Sequence, residues 1–109
     1  MSYKVTAVAN FQRQAKRLIK KYPSLKQELQ ELNNLLADNP MQGDELRNNC
    51  YKIRIGIASK GTGKRGGARI ITHVYVSGKE VFLLSVYDKS EQSTVSDTEL
   101  QNLLKGLHD

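Results

Sequence analysis

The sequence is poor in the residues that usually mark a special chemistry or compartment. It has no tryptophan, and its single cysteine, Cys50, cannot close an intrachain disulfide and has no metal-ligand spacing around it. The longest apolar run, Val81 to Val86, is interrupted by Ser85 and is too short to span a bilayer. The N-terminus has no apolar signal segment. We therefore expect a cytoplasmic protein with no membrane association.

Acidic residues are also scarce. The 109-residue chain has 11 Asp and Glu against 17 Lys and Arg, a net charge of +6 at pH 7, and no acidic residue lies between Tyr51 and Arg69. This charge favours a polyanion as partner, with nucleic acid as the first candidate, although it could also serve only solubility. The length and the 39% hydrophobic content predict a single folded domain over residues 1–109.

Hydrophobic periodicity predicts an α+β domain. The expected elements are a strand over 3–7, helices over 8–22 and 24–38, strands over 51–58, 68–76 and 80–88, and a helix over 96–107. Ser24 with Gln27, and Ser96 with Glu99, match the capping box that opens a helix. Residues 41–49 are expected to be a connection. We predict two N-terminal helices packed on one face of a small, mainly antiparallel sheet, with a short C-terminal helix.

Strand parity divides the side chains of the predicted sheet between two faces. The face expected under the helices carries Ile53, Ile55, Ile70, Val74, Phe82 and Leu84. The opposite face is expected to be open and carries Lys52, Arg54, Arg69, His73 and Tyr87. The glycine-rich loop over 59–67 adds Lys60, Lys64 and Arg65 at its rim. If the pleat continues past the last strand, Lys89 and Glu91 lie on the same side as Tyr87.

An open cationic face with exposed aromatic rings and a histidine can bind a phosphodiester backbone and stack a base. It can also cleave RNA without a metal, which requires a base, an acid and cations beside the phosphate. Each residue also has a plainer reading. Arg69 could pair with a surface carboxylate, Tyr87 and His73 could serve packing, and the loop cations could simply be solvated.

Other kinds of site are excluded by spacing. The segment Gly61 to Arg65 resembles a nucleotide-binding P-loop only superficially, because the first glycine would have to stand at Ala58 and Arg65 replaces the required Ser or Thr. No serine and no cysteine has the sequence setting of a hydrolase nucleophile. We therefore expect no nucleotide, no metal and no other cofactor.

Two segments give the sequence a family resemblance. They are G-K-x-G-G-A-R, from Gly63 to Arg69, and Y-x-K-x-E, from Tyr87 to Glu91. With the central run NNCYKIRIGIASKGTGKRGGARIITHVYV and the order of elements, they resemble toxins of the RelE/ParE superfamily, in its RelE/HigB-like branch of bacterial toxin–antitoxin systems. The resemblance covers nearly the whole chain and implies a RelE-like fold.

The resemblance implies a ribosome-dependent endoribonuclease. Such a toxin enters the decoding site of the small ribosomal subunit and cuts mRNA, without a metal, by attack of the 2′-hydroxyl on the adjacent phosphate. The resemblance also implies a cognate antitoxin that forms a hetero-oligomer with the toxin, covering its basic surface or displacing its C-terminal helix.

Carried onto this sequence, the resemblance assigns catalytic roles to four residues. Arg69 would stabilise charge on the phosphate, and Tyr87 would stack on or orient the base and share in proton transfer. Lys89 would act as acid or transition-state cation, and Lys64 lies where related toxins place a base or a phosphate contact. Which group is the acid and which the base stays open. Contacts to RNA are expected from Lys52, Arg54, Lys60, Arg65, His73 and Glu91.

Two other functions are compatible with the sequence. One is a ParE-like gyrase inhibitor, which shares the scaffold but acts through protein contacts; the presence of Tyr87 and Lys89 beside Arg69 argues against it. The other is a non-catalytic module that binds RNA or an acidic partner.

Overall fold

A five-stranded mixed sheet forms the centre of the fold. The computed structural model describes residues 2–105 and 107, so Met1, Gly106, His108 and Asp109 of the predicted domain lie outside the described residues. In chain order the elements are β1 (Lys4–Ala7), α1 (Ala9–Lys21), α2 (Leu25–Asp38), β2 (Asp44–Glu45), β3 (Cys50–Ile55), β4 (Ala68–Tyr75), β5 (Glu80–Asp88) and α3 (Asp97–Leu104). The predicted α+β class and order of helices and main strands are confirmed.

The strands lie in the order β1-β5-β4-β3-β2. β1 runs parallel to β5 and forms one edge, as its short alternating pattern indicates, and the other neighbouring pairs are antiparallel. β2 was not predicted. Its two residues lie in the stretch expected to be a plain connection, and they pair with Tyr51 and Lys52 of β3. Two polar residues carry no periodicity from which a strand can be recognised.

The sheet separates two hydrophobic clusters. The larger one lies under α1 and α2 and includes Leu18, Leu32, Ile53, Ile70 and Val86. The smaller one lies between the sheet and α3 and includes Ile71, Phe82, Leu84, Tyr87 and Leu100. The expectation that the second face is open is therefore wrong over much of its area, because α3 packs on it.

A β-bulge corrects the predicted parity of β5. In the pairing with β4, Ile71 lies opposite Ser85 but Thr72 lies opposite Leu83, so Leu84 is the extra residue. Phe82 and Leu84 therefore face α3 instead of the two N-terminal helices, and Leu83 faces those helices. The expected placement of Phe82 and Leu84 with Ile53 and Ile70 is wrong, since alternation holds only while the ladder is regular.

The helix termini agree with the sequence in one case and not in the other. Ser96 opens α3 with a complete capping box, in which its Oγ accepts a hydrogen bond from the Glu99 amide at 3.1 Å. Ser24 makes no such cap at α2, because its own backbone is helical. Its hydroxyl bonds instead to Glu28 and to Ser59 of the loop between β3 and β4. In the part of the chain that the structure describes, no helix is long and apolar enough to cross a membrane.

Adjacent leucines of α2 provide a matched test of the helix packing. Leu36 is fully buried against the sheet, whereas Leu35 is 48% exposed. Leu36→Ala should lower the free energy of unfolding by about 2–5 kcal/mol, because it removes buried apolar surface and leaves a cavity. Leu35→Ala changes the same atoms at the surface and should cost much less. Urea unfolding followed by circular dichroism measures both, and equal losses would contradict this packing.

Candidate functional site

Three candidate residues form one row across the sheet. Arg69 of β4 lies opposite Arg54 of β3 and opposite Tyr87 of β5. Directly opposed residues of neighbouring strands have Cβ atoms about 5 Å apart, so the three side chains are neighbours on one face. Their exposure differs greatly. Arg54 is exposed, whereas Arg69 is 4% and Tyr87 3% exposed.

The Arg69 guanidinium points into the loop that precedes it. It donates to the carbonyl oxygens of Lys64 at 2.7 Å, Arg65 at 3.1 Å and Ala68 at 3.2 Å. Burial lowers the pKa of Arg69, and the positive charge of Arg54 lowers it further. These bonds make Arg69 the internal anchor of the loop.

Gly67 allows this loop to pass against β3. A Cβ atom at Gly67 would lie 2.0 Å from the carbonyl oxygen of Ile55, a contact that only glycine avoids. The backbone of Gly67 is not left-handed, so the requirement is one of space. The close approach brings the start of β4 into register and places the Arg69 guanidinium under the loop carbonyls.

Tyr87 is covered in this structure. It packs in the cluster that α3 completes with Leu100, and among residues 2–105 and 107 its buried hydroxyl has no hydrogen-bond partner within bonding geometry. Burial raises the pKa of Tyr87, while the charge of Arg69 and the nearby Thr94 side chain lower it. The expectation of an exposed ring is wrong, because parity assigns a face of the sheet but does not say what packs on it.

His73 is buried as well, contrary to its expected place on an open face. It is 8% exposed, its Nδ1 lies 2.9 Å from the carbonyl oxygen of Asn48, and its ring stacks on Phe82. Cys50, at the start of β3, lies beside it with Sγ 3.7 Å from His73 Nδ1. Burial raises the pKa of the Cys50 thiol to about 11. This pair therefore lies within the packing against α3.

Lys60 and Asp88 form the main buried ion pair of the site. The Lys60 Nζ lies 2.6 Å from Asp88 Oδ1, and Asp88 has no exposed side-chain surface. Tyr22 of the α1–α2 turn donates to the other carboxylate oxygen at 3.0 Å. Asp88 was not among the site residues predicted from the sequence. The available signal was an aspartate directly after the apolar run of a buried strand.

The turn after β5 does not continue the pleat, because β5 ends at Asp88. Lys89 is half-buried, and its amide donates to the Gly67 carbonyl at 3.0 Å. Glu91 lies 3.1 Å from Arg17 of α1 in an exposed ion pair. The expectation that Lys89 and Glu91 follow Tyr87 on one face is therefore wrong for Glu91, which a turn separates from the strand, whereas the face on which Lys89 lies stays a prediction.

The accessible cations lie near the β3 edge and in the loop that follows it. Arg54, Lys64 and Arg65 are exposed, and Lys52 is half-buried. Beside them an open groove of about 520 Å³ runs between α2 and β3, where Lys52, Arg54 and Lys64 face Glu28, Glu31 and Asp44. The acidic wall of this groove was not predicted, because α2 reaches β3 only through tertiary packing and β2 lies in a stretch that was expected to be a plain connection. Among residues 2–105 and 107, no three His, Cys, Asp or Glu side chains lie close enough to hold a metal ion.

Comparison with known proteins identifies the family. The family described as the RelE toxin of the RelE/RelB toxin–antitoxin system matches residues 3–107. The chain belongs to the RelE toxin family. The resemblance drawn from the sequence is confirmed at that level, and its narrower assignment to a HigB-like branch stays a prediction.

Solved RelE structures share the fold. An E. coli RelE mutant in the free state has 19% identity and a TM-score of 0.61, covering 85% of this chain and 90% of its own. The toxin–antitoxin structure described as the intact E. coli RelBE complex has 19% identity and a TM-score of 0.61, and the match covers 80% of this chain and 96% of the matched chain. The isolated E. coli RelE toxin has 17% identity and a TM-score of 0.61, and the match covers 94% of this chain and 96% of the matched chain.

The two segments that carry the RelE-family resemblance lie against each other in the structure. The Lys89 amide of the second bonds to the Gly67 carbonyl of the first, and Tyr87 lies opposite Arg69. Segments that are distant along the chain are thus joined through the β4–β5 ladder.

The anchoring role of Arg69 can be tested by proteolysis. Arg69→Ala removes the donors to the Lys64 and Arg65 carbonyls, and should make trypsin cut after these residues about tenfold faster, because a hydrogen bond from a charged group contributes about 1.5–3 kcal/mol. Limited proteolysis with mass spectrometry measures the rate, and circular dichroism checks the fold. Arg54→Ala, on the exposed neighbour, should leave the rate unchanged. A wild-type rate in folded Arg69→Ala would show that other contacts hold the loop.

Proposed function

We propose that this RelE-family toxin is an endoribonuclease that cuts mRNA in the decoding site of the ribosome. The observation that carries the proposal is the group of accessible cations on the β3 edge and the following loop, above the buried Arg69. Arg54, Lys64 and Arg65 are exposed beside the half-buried Lys52, which suits a phosphodiester backbone. Cleavage proceeds by attack of the 2′-hydroxyl on the adjacent phosphate.

In this proposal the exposed and buried residues have different tasks. Lys64 and Lys89 are the candidates for proton transfer and for stabilising charge on the phosphate, and Lys52, Arg54 and Arg65 bind the backbone. Arg69 orders the loop through its carbonyl contacts and adds positive charge beneath it.

Other predicted site residues are buried, and would need a change of conformation to reach RNA, or lie at the side of the site. Tyr87 lies under Leu100, so stacking on a base requires α3 to move away. His73 is buried beside Cys50 and Phe82. Glu91 is paired with Arg17 at the side of the site, where it orients the turn that carries Lys89.

The partners follow from the same proposal. A toxin of this family is neutralised by a protein antitoxin, and the accessible cations and α3 offer two targets. An antitoxin that covers the cations blocks RNA, and one that displaces α3 opens the cluster around Leu100. We propose a cytoplasmic toxin–antitoxin hetero-oligomer in which the toxin is released to act on translating ribosomes.

Mapping of mRNA 5′ ends distinguishes the proposal from its alternatives. A pulse of expression should produce new internal 5′ ends in translated mRNA within minutes, and blocking translation initiation should suppress them, because the substrate is presented by the ribosome. DNA breaks without new mRNA ends would instead indicate gyrase inhibition. Intact mRNA together with retained affinity for RNA would indicate a binding module.

The exposed cations can be tested without disturbing the core. Arg54→Gln removes an exposed charge at the β3 edge and should reduce mRNA cleavage by about tenfold, since a lost charge-assisted contact costs about 1.5 kcal/mol. Lys4→Gln removes an exposed charge from β1, at the opposite edge of the sheet, and should have no effect. Primer extension in a purified translation system measures both rates. Equal rates for Arg54→Gln and wild type would remove the β3 edge from the substrate path.

A further inference from the structure

Lys60 differs from the other loop cations in that its ammonium group is already fully bonded. Its Nζ donates to Asp88 Oδ1 at 2.6 Å, to the Gly66 carbonyl at 3.0 Å and to Ser90 Oγ at 3.2 Å. An ammonium group has three N–H donors, so none is left for a phosphate. The side chain is 16% exposed and its Nζ lies 5.6 Å from the centre of the Tyr22 ring.

Asp88 is surrounded by donors on its side of the pair. Its Oδ1 accepts from the Ser90 amide at 3.0 Å and from the Ser90 hydroxyl at 2.8 Å, in addition to Lys60. Burial alone raises the pKa of Asp88, but the hydrogen bonds from Lys60, Ser90 and Tyr22 outweigh it and hold the pKa well below its usual range. Asp88 is therefore ionised at neutral pH, and the pair is a true ion pair.

The pair joins the two segments that carry the accessible site cations. Through Lys60 it fixes the loop at Gly66, next to Lys64 and Arg65. Through Asp88 it fixes the turn that begins with Lys89. At the end of the loop that is nearer β3, the Ala58 amide donates to Glu28 of α2 at 2.8 Å, so the loop is also anchored where it begins.

We propose that Lys60 and Asp88 are positioning residues of the RNA-cleaving site, and that Lys60 does not itself contact RNA. Their buried ion pair sets the distance between Lys64 on the loop and Lys89 on the turn. This inference rests on the proposed function and replaces the sequence-based prediction of an RNA contact at Lys60. A small displacement of catalytic groups is costly, because a shift of about 1 Å can reduce a rate about a hundredfold.

A positioning role and an RNA-contact role of Lys60 predict opposite effects of Asp88→Asn. In a positioning role, Asp88→Asn and Lys60→Met should each reduce the kcat of mRNA cleavage about tenfold to a hundredfold with little change in KM, because each substitution removes the same ion pair. The double variant should be no slower than the slower single one. In an RNA-contact role, Asp88→Asn would release the ammonium group and leave cleavage at or above the wild-type rate, while Lys60→Met would raise KM.

The double variant and one conservative substitution keep the test valid if a single variant fails to fold. The double variant Lys60→Met with Asp88→Asn leaves no unpaired charge in the buried site, which is the usual cause of such failure. Lys60→Arg keeps the charge and the reach to Asp88, so it should retain most of the kcat. Lys4→Gln serves as the unaffected control. Hydrogen exchange at the Lys89 amide, bonded to Gly67, should accelerate in Asp88→Asn and in the double variant, but not in Lys60→Arg.

The outcomes separate the inference from the function on which it rests. If wild-type protein leaves mRNA intact on translating ribosomes, the proposed function fails and the positioning role fails with it. If wild type cleaves and folded Asp88→Asn cleaves equally fast, only the positioning role is overturned. Additive losses in the double variant, or unchanged exchange at Lys89, would also overturn it. Faster exchange together with reduced, non-additive kcat supports it.

Discussion

The antiparallel pairing of β4 with β5 is the constraint on which the rest of the structure depends. Both strands are buried on both faces, by α1 and α2 on one side and by α3 on the other. The bulge at Leu84 changes which face successive β5 side chains occupy. Phe82 and Leu84 pack in the cluster against α3, and Leu83 and Val86 pack in the cluster under α1 and α2. The same ladder brings Arg69 against Tyr87 and joins the two segments typical of the family.

Burial divides the positive charges into two groups with different physical roles. Arg69 and Lys60 lie largely out of solvent, and each is held by several oxygen acceptors, so their charges order the loop from within. Arg54, Lys64 and Arg65 remain exposed to solvent, where they can meet a phosphate backbone, although Arg54 also lies 3.8 Å from the carboxylate of Asp44 in an exposed ion pair. The positive charges of a cationic loop repel one another, and the hydrogen bonds of Arg69 and Lys60 to oxygen acceptors offset that repulsion.

Coverage of Tyr87 by α3 connects the fold to control of the proposed activity. Tyr87 is buried in the same cluster as Leu100, so its ring becomes accessible only if α3 moves away. α3 packs on the sheet through Leu100, Leu103 and Leu104, its first-turn Asp97 forms an exposed ion pair with Arg47, and it begins at a complete capping box, so it is a well-defined helix. The chain belongs to the RelE toxin family, and under the proposed function a shift of α3 would expose Tyr87 on the face that carries Arg54 and Arg69.

The sequence alone determined the helices, the four longer strands, the cationic character of the loop and the family. These features depend on local periodicity, on composition and on short motifs such as Gly63 to Arg69, so each can be recognised from residues that are close together in the sequence. Only the tertiary structure decided which cations are accessible, because Lys60 and Lys64 look alike in sequence and differ by a carboxylate that lies 28 positions from Lys60 along the chain. It likewise decided that His73 and Tyr87 are covered, since alternation assigns a residue to a face and packing between distant elements decides what lies on that face.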